Sequence, residues 1–397
     1  MLTYQQAQQL ILARARSFGS EVIDINHVQG LVLAETVVAD RDYPPFNRSA
    51  MDGYALMFSD YQKGIRDYQV IETIFAGQFH HATLETAQCY KIMTGAAVPD
   101  PADMVVRRED TIEQNNAVVL KAVNSSQYQH ISLRGEDLKA LDVVISDSRL
   151  CNPAVISLMA ALGKSAVAVK KQPHIGLFTT GNEVKPIDYP LNPVQIRNSN
   201  RYLLTALLKN WNIEPQIIQH IPDDKEQMHS VLEKAMDLDI IILSGGVSAG
   251  DADFVPEVME GLAVKQLFHK VSIKPGKPFW CGELKSGGLV FALPGNPFSC
   301  QVTFTLFINP YLHACFGLPE VTMQELPLLN ARSKKSILDE FFPVRIHRPQ
   351  PALETVFFNG SGDIRAGLHA DGLAIHPAAI KTLADGAFVN FIPFTFL

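Results

Sequence analysis

The run Ser244-Gly-Gly-Val-Ser-Ala-Gly250, followed by Asp251-Ala-Asp253, has the residue types that hold an anion beside a metal ion. It follows Asp239-Ile-Ile-Ile-Leu243, a β-branched apolar run that reads as a buried strand. A strand that opens into glycines exposes backbone N–H groups, and without a Cβ an anion can come close to them. In an open α/β sheet that edge is where ligands sit. A tight turn that merely fits is the competing reading. The run matches neither the P-loop nor G-x-G-x-x-G, so it supports neither NAD binding nor the usual ATP chemistry.

Three further groups share this character. His269-Lys-Val-Ser-Ile-Lys-Pro-Gly-Lys-Pro278 offers Lys270, Lys274 and Lys277 around a Pro-Gly turn. Read as extended chain, it puts Lys270 and Lys274 on one face. Apolar flanks (Val271, Ile273, Phe279, Trp280) favour a cleft edge over a solvated strand, and an ammonium there neutralises an oxyanion. Leu293-Pro-Gly-Asn-Pro-Phe-Ser299 joins a strand to a helix. Its Pro294, Gly295, Asn296 and Pro297 make either an anion site of free N–H groups or a plain capping turn. Carboxylates stand at turns: Asp52, Asp137, Glu183, Asp223 and Asp253. The last three each follow an expected parallel strand, so they can converge at one sheet edge, where oxygen-only ligands favour Mg²⁺. Taken singly, each also suits a turn or a cap. Thr94, in Met93-Thr-Gly-Ala96, is either a loop hydroxyl ligand or a turn residue. With no H-E-x-x-H, zinc hydrolysis lacks support.

The elements that must position these groups follow from the pattern of apolar residues. The chain has 397 residues, 47% apolar and 19% charged, enough for several ordinary globular domains. A formal net charge of −7 argues against nucleic-acid binding. Its five cysteines have no C-x-x-C pair, which disfavours disulfide and zinc frameworks and suits a reducing cytoplasm. No run of about 18 apolar residues predicts a membrane span. Helices are expected over Thr3–Ser17, around Leu31–Glu35 and over 152–164. Residues 66–146 alternate in short runs and read as β-rich. From about residue 172, strands alternate with helices: Ile175–Thr179, Ser199–Asn210, Glu214–Ile221, Lys225–Ala235, Asp239–Leu243, Leu289–Leu293 and the long apolar helix Phe298–Leu312. That order predicts an α/β fold with a central doubly wound parallel sheet. Beyond about residue 319 the chain reads as a small β-barrel-like domain.

Together these segments resemble the molybdopterin molybdenumtransferase family (MoeA and the gephyrin E domain). The residues that carry the resemblance are Pro44–Ala55, Ile92–Ala96 with Ala102-Asp103, Arg134–Asp137, Thr180–Glu183, Ser199–Arg201, Ser244–Asp253, Lys270–Pro278 and Leu293–Pro297. The resemblance implies an elongated N-terminal domain (1–45 and 147–171), a β-rich insertion (46–146), a molybdopterin-binding α/β domain (172–318) and a C-terminal β domain (319–397). It also implies insertion of molybdate into adenylylated molybdopterin with release of AMP and a requirement for Mg²⁺. The implied protein is a cytoplasmic homodimer, with the molybdopterin adenylyltransferase as a further partner. Asp52, Thr94, Asp137, Lys270 and Lys274 would serve catalysis. Ser244, Gly245, Gly246, Ser248, Gly250, Lys277, Pro294–Pro297 and Ser361 would hold the pterin nucleotide. Glu183, Asp223 and Asp253 would hold the metal. Where the family usually has Asp and Arg, this chain has Asn198 and Pro343, with Arg345 two positions on as a substitute. A pterin carrier or scaffold, or an adenylyltransferase-like enzyme, are the alternatives on the same fold.

Overall fold

The computed structural model describes residues 1–122, 124–247, 254–320 and 323–394. The chain divides into two compact units, Met1–Ala34 with Ser148–Asn152 and Ala166–Leu397, and Glu35–Asp147 with Pro153–Ser165. Among the described residues no helix is long and apolar enough to cross a membrane. All five cysteines are buried free thiols.

A six-stranded sheet organises the larger unit, in the order Ile217–Ile221, Ile175–Thr180, Ile240–Ser244, Leu289–Leu293, Trp280–Glu283, Lys265–His269. The first four strands run parallel. The three inner strands of these four are buried throughout, because both of their faces are covered, whereas the edge strand Ile217–Ile221 carries Gln219 and His220 and is only partly buried. Ile240 and Ile242 pack on one face with Leu204, Leu208 and Phe304. Ile241 and Leu243 pack on the other with Met228, Leu232, Val255 and Met259. Each such fully buried aliphatic side chain contributes roughly 1.5–3 kcal/mol of transfer free energy. The last two strands are antiparallel additions that the sequence pattern did not separate from their surroundings. The expected long helix is present from residue 297 to 315, with a wide π turn over Phe304–Ile308.

A second sheet takes one short strand from within the segment that builds the first and the rest from beyond it, in the order Ile273–Lys274, Asp339–His347, Gly372–His376, Phe388–Pro393, Gln324–Pro327, with Ala352–Thr355 also on Asp339–His347. Leu328 bridges Leu353, so the strand edges curl toward each other as a small barrel requires. The short helix expected around Leu31–Glu35 does not form. Val32 and Leu33 make β-bridges to Leu150 and Val169, and Ala34 N–H donates to Ala168 O at 2.9 Å, so cross-chain pairing satisfies that backbone. The first helix is shorter than expected. It spans Tyr4–Leu12, capped by Thr3 and Gln6, and ends where the N–H groups of Arg14 and Ala15 turn to the carbonyls of Ile11 and Leu12.

The smaller unit holds a sheet in the order Met104–Arg107, Gly53–Leu56, Gln88–Ile92, Asp67–Ile74, Ala117–Leu120, Thr111–Gln114. Gly53 pairs with Ile92, so the loop before one strand meets the loop after its neighbour.

Candidate functional site

Two loops are tied together at the carboxyl edge of the central sheet. The strand Ile240–Ser244 ends in Gly245 and Gly246, with φ of 102° and 70°. A Cβ at Gly245 would lie 2.5 Å from Thr180 Oγ1, so this position requires glycine on both conformational and steric grounds. Gly245 N–H donates to Leu293 O at 3.0 Å, which joins this loop to the Pro294–Pro297 turn. Asn200 Nδ2 donates to Ser244 Oγ at 2.8 Å and to Gly295 O at 2.6 Å. Cys300 Sγ donates to Pro294 O at 2.8 Å and stands 3.1 Å from Ser244 Oγ. Burial pushes the Cys300 thiol up to about 12, against a smaller opposing pull from Ser244, so it stays a neutral donor. Asn200 Oδ1 is buried without a partner, an acceptor left for a ligand. Asn296 Nδ2 donates to Ser361 Oγ at 2.8 Å. The structure thus brings together Ser244, Gly245, Pro294, Gly295, Asn296 and Ser361. Ser248, Gly250 and Asp253 lie outside the described residues.

Next to the Pro294–Asn296 turn is a pocket of about 570 Å³, lined among others by Lys274, Lys277, Asn296, Ser361, Arg332 and Glu340. Its charges meet by strand register. Ile273–Lys274 runs parallel to Asp339–Glu340, which places Lys274 opposite Glu340. Lys274 Nζ lies 2.8 Å from Glu340 Oε1, and Arg332 Nη2 lies 2.7 Å from Glu340 Oε2. Burial alone would raise the Glu340 pKa, but the bonds from Lys274 and Arg332 outweigh it and hold the carboxyl below its ordinary range. Arg332 also donates to His376 Nδ1 at 2.7 Å and lies 4.1 Å from the centroid of the Phe342 ring. Burial, reinforced by Arg332, lowers the His376 pKa, so the ring accepts this bond as a neutral imidazole. Between Lys274 and Lys277, Gly276 has φ of 105°, and a Cβ there would meet Thr303 Cγ2 at 2.7 Å.

This corrects the expected pairing of Lys270 with Lys274 on one extended face. Lys270 has φ of 71°, so the strand alternation breaks before Ile273–Lys274 begins. The pocket takes Lys274 and Lys277, and Lys270 is not in its lining. Lys270 follows His269, whose Nε2 lies 3.3 Å from Val247 O, on the side of the glycine loop. Arg332 and Glu340 were missed, since no local motif marks either one. Asn200 lies within Ser199–Arg201, where the sequence alone assigns it no role. Arg345 does not reach the pocket: it is exposed and bonds Glu354 at 2.8 Å on the neighbouring strand.

Glu183 and Asp223 stand on adjacent loops. Asn182 N–H donates to Asp223 Oδ2 at 2.9 Å, and Asp223 N–H to Asn182 Oδ1 at 3.2 Å. The Glu183 carboxylate folds back over Gly181, where a Cβ would come within 2.8 Å of it. Among the described residues no three of His, Cys, Asp and Glu group as metal ligands. Mg²⁺ usually binds one or two protein carboxylates and completes its shell with substrate phosphates and water. Asn198 caps the helix Ser199–Lys209 by accepting from Arg201 N–H, and its Nδ2 donates to Thr179 Oγ1 at 2.7 Å. Thr179 Oγ1 also lies 3.1 Å from His220 Nδ1, and burial lowers the pKa of that half-buried imidazole.

In the smaller unit Asp52 and Thr94 come together. Asp52 Oδ1 accepts from Thr94 N–H at 2.7 Å and from Thr94 Oγ1 at 2.8 Å. The backbone bond, then the hydroxyl bond, holds the Asp52 carboxyl below its ordinary range. Asp137 is exposed, and its backbone N–H donates to Tyr43 O at 3.0 Å.

A doubly wound sheet whose strand ends carry glycine, next to a pocket lined by Lys274, Lys277 and Arg332, defines an α/β protein with a cationic cleft. Comparisons with known proteins narrow this class. The MoeA N-terminal region (domain I and II) matches residues 2–163, and a probable molybdopterin-binding domain matches residues 176–314. The molybdopterin molybdenumtransferase of Staphylococcus epidermidis is 31% identical, over 93% of this chain and 90% of that protein. That of Synechocystis is 32% identical over 94% of each. The crystal structure of the molybdopterin biosynthesis MoeA protein from Pyrococcus horikoshii superposes with a TM-score of 0.84 at 27% identity, covering 98% of this chain and 99% of that one. The chain therefore belongs to the molybdopterin molybdenumtransferase family, a family of transferases.

Proposed function

We propose that this protein inserts molybdate into adenylylated molybdopterin with release of AMP, in the biosynthesis of the molybdenum cofactor. The observation that carries this reading is the pocket where Lys274, Lys277 and Arg332 gather beside the Pro294–Asn296 turn and Ser361. Molybdate is a tetrahedral dianion, and these cations supply its counter-charge as point charges and a planar donor fork. The backbone N–H groups at Gly246 and Gly295 hold the pterin nucleotide's phosphates against the sheet edge, and Asn200 braces the two loops by donating to Ser244 and Gly295. Bound together, dithiolene and molybdate react at the effective concentration of neighbours, and positioning lowers the barrier without a protein nucleophile. Glu183 and Asp223 would hold Mg²⁺, which supplies charge neutralisation of the cleaved pyrophosphate. Asp52 and Thr94 would act across a homodimer, on the α/β domain of the second copy. The protein would work in the cytoplasm, receiving its substrate from the molybdopterin adenylyltransferase.

The test is AMP release from adenylylated molybdopterin with Mg²⁺, with and without micromolar molybdate. Molybdate-dependent release is the expected result. Tight pterin binding without release under either condition would sink the transferase reading.

A further inference from the structure

Resting on the assignment of the Lys274 pocket to the oxyanion, we propose that Glu340 is a resident counter-ion. Its carboxylate occupies the place of a ligand oxygen between Lys274 and Arg332, and molybdate must take Lys274 over from it. Four observations support this. First, the position of Glu340 is imposed by strand register, because Ile273–Lys274 pairs with Asp339–Glu340. Second, each carboxylate oxygen engages a different cation, at 2.8 Å for Lys274 and 2.7 Å for Arg332. Third, the two cations are held unequally. The Arg332 side chain is 16% exposed and also engages His376 and Phe342, whereas the Lys274 side chain is 58% exposed. Arg332 is therefore fixed, and Lys274 has room to swing toward a ligand. Fourth, the lining balances Lys274, Lys277 and Arg332 against the single carboxylate of Glu340, a net charge of two positive that matches a dianion.

A tethered carboxylate competes at high effective concentration, so weakly bound anions cannot displace it from the two cations. A tetrahedral dianion that also bonds Lys277 and Ser361 has more to gain and can displace it. In the empty pocket the same carboxylate keeps the cations from repelling each other. Glu340 thus trades affinity for selectivity, by placing a repulsive element at the site.

The test is titration of the full-length protein with molybdate alone, by calorimetry, for wild type and Glu340→Gln. The amide keeps the shape of the side chain and loses its charge. Removing a like charge from beside the ligand predicts about tenfold tighter molybdate binding in the variant. Equal or weaker binding by Glu340→Gln, with measurable binding by wild type, overturns the counter-ion role while the pocket assignment stands; Glu340 would then only position Lys274 and Arg332. Absence of binding in both proteins overturns both claims. Should Glu340→Gln fail to fold, Glu340→Ala removes the carboxylate with the same expected sign.

Discussion

The edge of the central sheet and the C-terminal β region contribute to the candidate site in opposite ways. The central sheet offers backbone. Its inner strands are buried on both faces, and at Gly245 the loop geometry excludes any side chain. The C-terminal region offers charge. Arg332 and Glu340 are side chains on a curled β unit, brought to Lys274 by a two-residue parallel pairing. Backbone at a strand end is the same whatever the neighbouring side chains are, so it suits a phosphate common to many ligands. Side-chain charge changes with single substitutions, so it suits the part of the ligand that must be chosen.

That difference can be broken from either side. The largest effect is expected in the sheet. Ile242→Ala removes a fully buried side chain between packed layers and should cost about 3–4 kcal/mol, read as a shift in the denaturation midpoint. If the loss were under about 1 kcal/mol, the sheet would not be the rigid platform described. Next comes the charge itself. Lys274→Ala should lower molybdate-dependent AMP release by about a hundredfold, the usual cost of losing one electrostatic contact to the reacting group. Melting should fall only modestly, because the Lys274 side chain is 58% exposed and Glu340 keeps its bond to Arg332.

A smaller effect is expected with pH. The folded-state pKa of Glu340 is depressed by Lys274 and Arg332, so its ion pairs stabilise the fold above the unfolded carboxyl pKa of about 4.3. That contribution is lost as pH falls through the lower, folded value. Wild type should therefore lose stability more steeply below about pH 4 than Glu340→Gln, in acid denaturation curves. Parallel curves would show that the pairs do not stabilise the fold. Arg345→Ala should have the smallest effect, under about 1 kcal/mol on stability and none on AMP release, because its pair with Glu354 is on the surface. A tenfold loss of activity would instead bring Arg345 into the site.

The sequence disclosed the region that works through backbone far better than the one that works through charge. Three isoleucines followed by two glycines announce a buried strand and its open end, because burial and positive φ each restrict the residues allowed. The Pro294–Pro297 turn was readable because the buried apolar strand Leu289–Leu293 ends there in Pro and Gly. Arg332 and Glu340 lie 58 or more positions after Lys274 and owe their meeting to register, which no local pattern encodes. The Lys270–Lys274 spacing misled because the left-handed turn at Lys270 is invisible in a run that otherwise alternates like a strand. The expected helix around Leu31–Glu35 failed similarly, through bridges to Leu150 and Val169 that only tertiary pairing supplies.

The account's central claim is that backbone and charge converge on one oxyanion in the Lys274 pocket. The most direct test is a crystal of this protein with bound molybdate, with the metal located by anomalous scattering at the molybdenum edge. The account predicts a single strong peak within hydrogen-bonding reach, through the oxyanion's oxygens, of Lys274, Arg332 and Ser361, with Lys274 withdrawn from Glu340. A peak at Lys270, with Lys274 and Arg332 still bonded to Glu340, would contradict it.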